Sequence, residues 1–276
     1  MKALLRAEIY KLYKQRRTYY ALGAIVGMEL VILVSAYYQG RAFIDFLLVS
    51  LRQSFYLQGE LLNGNLLVYV ILNSLWFHLP LLLMIIVSSL LTSEYKDGTL
   101  MAVFLQPVNK YRFITCKYLV AMAFTVLAVL FLAITAFALS YTLFGKGDLI
   151  VYLDSLNFYA GSDATLRLLM AFASGAVTMN FYSVVSLTLA IVFRDTTITW
   201  ILAAFFLIVS NLLLRIDFGE SWVGQLLYAK LGESWQYLFV NEINWPLIVQ
   251  NNLLLLLYTV LVMGLGILIF KRSDIG

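Results

Sequence analysis

Six long apolar runs alternate with shorter polar connections along this chain, at about 19–38, 66–92, 117–144, 168–193, 197–214 and 247–270. Each reaches or approaches the roughly 20 residues that carry a helix across a bilayer. The expected fold is therefore all-α, with six transmembrane helices. Tyr19/Tyr20 and Tyr37/Tyr38 bracket the first run. At the usual helical rise these pairs lie about 27 Å apart, close to a hydrocarbon thickness of about 30 Å, as aromatic belts do. Arg194-Asp195 and a threonine or two separate the fourth run from the fifth, which predicts a tight helical hairpin. Pro80 inside the second run predicts a kink, its freed carbonyl to be satisfied by neighbouring helices.

The polar connections differ in character. Residues 1–17 place Leu5, Ile9 and Leu12 on one side, among Lys2, Arg6, Lys11, Lys14, Arg16 and Arg17. That pattern predicts an amphipathic helix on the membrane surface. A signal peptide also begins with basic residues, but the run that follows is long enough to span and ends without a small-residue cleavage pattern. The connection 215–246 carries two short apolar patches, Trp222 to Tyr228 and Trp235 to Val240, both too short to cross. They predict interfacial or re-entrant helices before the last span. No internal repeat is evident.

Composition confirms the class and adds an orientation. Of 276 residues, 62% are hydrophobic and 12% charged, whereas soluble domains carry about 25% charged residues. The chain is an integral membrane protein, read as one domain over 1–276, with the lipid bilayer as a partner and no nucleic acid. With the N-terminus inside, the cytoplasmic segments hold six, four, one and two basic residues, 13 of 19. The positive-inside rule then puts both termini in the cytoplasm. The connections 39–65, 145–167 and 215–246 become external.

Much of the chemistry is read from what is missing. No phosphate-binding loop is present; Gly145-Lys146-Gly147 has the wrong spacing. One histidine, His78, cannot supply a histidine-based metal site, and the single Cys116 is read as structural. No catalytic constellation suited to a membrane-embedded enzyme is recognisable. Glu29 is the only ionisable residue besides His78 well inside a span, so the relay of groups that ion-coupled transport uses is missing. Glu29 itself has two readings: it faces a pathway or subunit interface, or it is a protonated acid bonded to a neighbouring serine or asparagine. Gly23 and Gly27 form a Gly-x-x-x-Gly pair suited to close helix packing, about 200° of rotation away from Glu29. His78 reads as a satisfied, buried histidine. Asn73, Ser74, Thr178, Asn180, Ser183 and Ser186 serve either a cavity or interhelical hydrogen bonds.

The polar island from Glu94 to Lys117 remains. Within it Leu100, Val103, Phe104 and Leu105 make an apolar stripe at helical spacing. Asp97 and Thr99 are N-cap types, and Pro107 stops the helix. Such a helix either serves a partner or lies as a helical turn on the bilayer.

Glu94, Gly98, Thr99, Leu100, Leu105, Pro107, Val108, Lys110 and Lys117 together resemble the segment between the second and third spans of ABC-2 type transporter permeases. The tail from Phe270 to Ile275 is similar to the basic–acidic ending of such permeases. Lys110 stands where arginine is common, and Gln106 where a small residue is usual. The resemblance implies the membrane subunit of an ATP-driven exporter or flippase in the cytoplasmic membrane of a prokaryote. It would pair with a second permease subunit and with an ABC ATP-binding subunit that holds ATP and Mg. The segment from Glu94 to Pro107 would be the coupling helix that docks on that ATPase. Leu100, Val103 and Phe104 would anchor it, with Glu94, Lys96 and Asp97 at the rim. The competing reading is a peptide-resistance, immunity or receptor-like membrane protein that does not pump.

Overall fold

The computed structural model describes residues 2–52, 61–153, 156–216 and 222–273, with backbone alone for 41–52, 222 and 223. Ten α-helices are described in it: α1 (Lys2–Lys14), α2 (Arg16–Arg52), α3 (Gly64–Lys96), α4 (Thr99–Phe104), α5 (Lys110–Phe144), α6 (Gly161–Phe193), α7 (Thr196–Leu214), α8 (Trp222–Leu226), α9 (Tyr228–Gly232) and α10 (Trp245–Arg272). Between α5 and α6 lies an antiparallel hairpin of β1 (Leu149–Tyr152) and β2 (Leu156–Tyr159), with Leu149 opposite Tyr159. The sequence pattern did not announce it. A 3-10 helix, Glu233–Phe239, joins α9 to α10.

Six of these helices are long and apolar enough to cross a membrane: α2 over Arg16–Gly40, α3, α5, α6, α7 and α10. Central ones bury more of their apolar stretch: 67% for α6 and 50% for α3, against 22% for α2 and α7. At 33 to 35 residues, α3, α5 and α6 measure about 50 Å. That exceeds the roughly 30 Å of hydrocarbon, so their ends project beyond it. For α5 the projection starts at Lys110, seven residues before the expected span, because Asn109 accepts from the N–H of Tyr111 at 2.9 Å and caps the helix there. The α6–α7 turn sits at Arg194, whose φ of 56° is left-handed. Asp195 then caps α7 by accepting from the Ile198 N–H at 2.8 Å. α3 continues as helix through Pro80.

The two ends of the bundle are built differently. At the hairpin end, Gly64 donates to the Gly145 carbonyl at 2.8 Å. A Cβ there would fall 2.5 Å from that oxygen, so only glycine allows the approach. Tyr141 donates to Asn65 at 2.6 Å, and Asn65 in turn donates to the Gly147 carbonyl at 2.7 Å. Arg167 lies over the Tyr159 ring and donates to the Leu238 carbonyl at 2.7 Å, holding the 3-10 helix against α6.

From this end the segment containing α8, α9 and the 3-10 helix dips into the bundle. Tyr228 stacks on Phe206 at 5.3 Å, and the Gly232 carbonyl accepts from Thr178 at 3.2 Å. Thr178 lies about 25 Å along α6 from its start, so the segment reaches the middle of the bundle. Trp235 is fully buried against Trp76 at 4.9 Å. The segment packs among the spanning helices, as the re-entrant form expects.

Some polar groups inside the bundle join neighbouring helices, while Asn180 Oδ1 is buried without a hydrogen-bond partner among the described residues. Ser183 pairs with Thr125 at 2.7 Å, and Ser186 donates to the Met84 carbonyl. Ser183 and Ser186 thus make interhelical bonds. His78 departs from expectation: it is exposed on α3, with Nδ1 3.1 Å from the Ser74 carbonyl, beside the equally exposed Asn73 and Ser74.

Candidate functional site

At the other end, the basic one, α1, the last turns of α3, α4, the first turns of α5 and the last turn of α10 converge. Helix α4 has six residues. Isolated helices shorter than about 12 residues are not stable in water, so tertiary contacts hold it. Gly98 sets its direction: φ of 67° turns the chain sharply out of α3, a conformation that costs other residues. Asp97 is the last cap of α3, and Gly98 rather than Asp97 or Thr99 stands at the N-cap of α4, without a side-chain bond. Thr99 turns back to the Glu94 carbonyl at 3.5 Å.

The apolar stripe of α4 points into the chain itself. Leu100 is 2% exposed. Phe104 meets Phe113 of α5 edge-on at 5.2 Å and Phe270 of α10 at 6.2 Å, while Phe113 and Phe270 stack at 6.0 Å. Val103 is half-buried beside them. Leu100 is thus taken up by internal packing, while Phe104, like Val103, is half-buried and packs with Phe113 and Phe270 on its inner side. The large exposed apolar side chains are Met101, at 55%, and Leu105, at 89%. Lys96 and Asp97 are exposed, and Pro107 follows the end of α4. Lys110 donates to the Ser273 carbonyl at 2.9 Å, tying the start of α5 to the end of α10. The remainder of the tail, Asp274 and Ile275, lies outside the described residues.

A buried ion cluster fastens α1 to the same place. Lys117 is fully buried and donates to Glu8 Oε2 at 2.9 Å and to the Leu90 carbonyl at 2.8 Å, with Glu94 Oε1 at 2.9 Å. These three partners match the three protons of an ammonium group. Lys11 joins the same two carboxylates, at 2.8 Å to Glu8 Oε1 and 2.6 Å to Glu94 Oε1. Burial alone would raise the Glu8 carboxyl, but Lys117 and the bond from Lys11 outweigh it and hold it below its ordinary value. Lys11 is held above its own ordinary value because Glu8 and Glu94 outweigh the cost of burial.

Glu8 was not singled out in the sequence. It occupies the inward face of α1 with Leu12, Leu4 and Leu5, while Ile9 is turned outward. Its spacing from Leu5 and Leu12, three and four residues, puts it on their face, which was the available signal. α1 therefore packs on α5 rather than simply lying on a surface.

The remaining expected site residues lie elsewhere. Glu29 is fully buried between α2 and α5, accepting from Thr135 at 2.8 Å. The partner is a threonine instead of the expected serine or asparagine, and Glu29 Oε2 is buried without a hydrogen-bond partner among the described residues. Gly23 and Gly27 are exposed, with nothing within 4 Å of a Cβ built at either, so they pack on no described helix of this chain. Cys116 is buried and free. Among the described residues no group of His, Cys, Asp and Glu side chains is arranged to hold a metal ion.

Two comparisons bear on this arrangement. No curated protein matches the chain at a significant level. A family model described as ABC-2 family transporter protein matches residues 4–211, from α1 through nearly all of α7. The match takes in α1, α4 and the ion cluster between them. This six-span membrane protein belongs to the ABC-2 family of transporter proteins.

Proposed function

We propose that the chain is the permease subunit of an ATP-driven exporter or flippase, and that α4 is its coupling helix. Families of this kind pair a membrane component with ABC ATP-binding subunits. The observation that carries the reading is α4 itself. Its outer face offers Met101 and Leu105, while its inner face is locked to α3, α5 and α10. A push on that face moves three spanning helices together, as switching between inward- and outward-facing states demands. The excess of basic residues at this end supports a cytoplasmic position for it, and the proposed setting is the plasma membrane of a prokaryote. ATP and Mg belong to the partner subunit.

A second permease subunit completes the pathway. Asn73, Ser74 and His78 are exposed on α3 within its span, where polar groups against lipid are costly. A facing subunit or an aqueous path removes that cost. The test is isolation of the full-length chain from native membranes in mild detergent. A nucleotide-binding subunit should come with it, and its ATP hydrolysis should depend on the permease. A chain isolated alone that retains full activity without nucleotide contradicts the proposal.

A further inference from the structure

Between α1 and α4 the basic end opens into a groove of about 410 Å³. Gln15 and Lys11 form one wall, Ala102 and Val103 the other, with Glu94 and Asp97 at the α3 end. The two ammonium groups here are already committed, since Lys11 and Lys117 both bind Glu8 and Glu94. Their charges balance those two carboxylates, and Asp97 leaves the groove net acidic.

Two acceptors in this groove lack donors. Glu94 is 6% exposed and uses Oε1 for both lysines, while its Oε2 has no hydrogen-bond partner among the described residues. Gln15 Oε1 is likewise buried without one. A buried carboxylate oxygen left unpaired costs free energy, and a donor arriving from outside the chain would remove that cost. A carboxylate oxygen, an amide oxygen and a nearby aspartate together call for a cation that donates several hydrogen bonds.

We propose that this groove receives a cationic side chain, arginine or lysine, from the ATP-binding subunit, inserted between α1 and α4. The inference rests on the docking of that subunit at α4. It adds that α1 forms half of the interface, and that an ion pair with Glu94 fixes the register of docking. Charge pairing across an interface sets orientation in this way.

The test measures the affinity of the full-length permease for its co-purifying ATP-binding subunit in detergent, at low and high salt. Gln15→Arg places the permease's own guanidinium in the groove and should weaken binding roughly tenfold or more at low salt. Gln15→Met, close in size and uncharged, removes one acceptor but adds no charge, so it should weaken binding several-fold less than Gln15→Arg, because Glu94 and Asp97 still hold the cation. If Gln15→Arg lowers the melting temperature of the permease, Ala102→Arg delivers the same charge from the exposed side of α4 and should weaken binding likewise. Wild-type affinity with both arginine variants, or an equal loss with Gln15→Met, overturns the proposal. Leu105→Asp separates the two ideas. If it abolishes binding while the arginine variants do not, docking at α4 stands and the groove falls; if all three bind normally, both fall.

Discussion

Lys117 on α5 and Glu8 on α1, 109 positions apart in the chain, form an ion pair at 2.9 Å with both side chains out of reach of solvent. A buried pair adds little net stability, because desolvation offsets the attraction, but removing one partner strands the other. Lys117→Met leaves Glu8 and Glu94 with only Lys11, a side chain 43% exposed. The expected loss is about 3–5 kcal/mol, read as a lower melting temperature in detergent. Replacing Glu8 and Lys117 together by leucine should recover part of it, so the double variant melts above Lys117→Met. A melting temperature of wild-type size for Lys117→Met would show that α1 is not held by this pair.

The same cluster predicts a pH dependence. The Glu8 carboxyl is depressed below its ordinary 4.5. Its contribution is therefore complete above that value and drains away as pH falls through the lower, folded one. Lys11 is raised above its ordinary 10.5, so its contribution is complete below that value and is lost as pH rises through the higher one. Stability should be flat from about pH 5 to 10 as far as these two groups decide it, with an acid limb that Glu8→Gln makes shallower. An acid limb identical in Glu8→Gln would assign it to other carboxylates.

Gly98 supplies the left-handed turn between α3 and α4, and a Cβ there would meet nothing within 4 Å. Gly98→Ala is consequently strained by backbone alone, at a cost of about 1–2 kcal/mol. The expected result is a permease that still folds but places α4 less firmly. ATP hydrolysis by the complex should persist with a lower yield of transport per ATP. Unchanged transport per ATP would show that the turn does not position α4.

Glu29→Gln keeps the oxygen that accepts from Thr135. Stability should stay within about 1 kcal/mol of wild type, and transport should continue. Glu29→Leu removes the acceptor and loosens α2 from α5, whose contact it helps to hold. Transport abolished by Glu29→Gln in a stably folded protein would restore the carboxylate to the pathway.

The hydropathy pattern located all six spanning helices, the α6–α7 turn at Arg194-Asp195 and the position of α4. Which way each face points was less legible. Lipid is as apolar as a leucine core, so an apolar stripe on a spanning helix carries no sign of inside or outside. The same ambiguity affected α4: Leu100 and Phe104 form a real stripe, but it seats on Phe113 and Phe270 of the same chain. Exposure of His78 and of Gly23 and Gly27 was hidden for that reason too. The Glu8–Lys117 pair depends on tertiary proximity, which local spacing does not report. The β hairpin at 149–159 is short and lies in a connection whose other residues gave no alternating pattern.

Leu105 tests the central claim most directly, because it stands at the end of α4 with 89% of its surface open and packs on nothing inside the chain that would confound the result. Leu105→Asp should leave the melting temperature of the isolated permease unchanged. It should prevent the ATP-binding subunit from co-purifying, and ATP-dependent transport should fall with it. A Leu105→Asp permease that captures the subunit stoichiometrically and transports at the wild-type rate would contradict the assignment of α4 as the coupling helix.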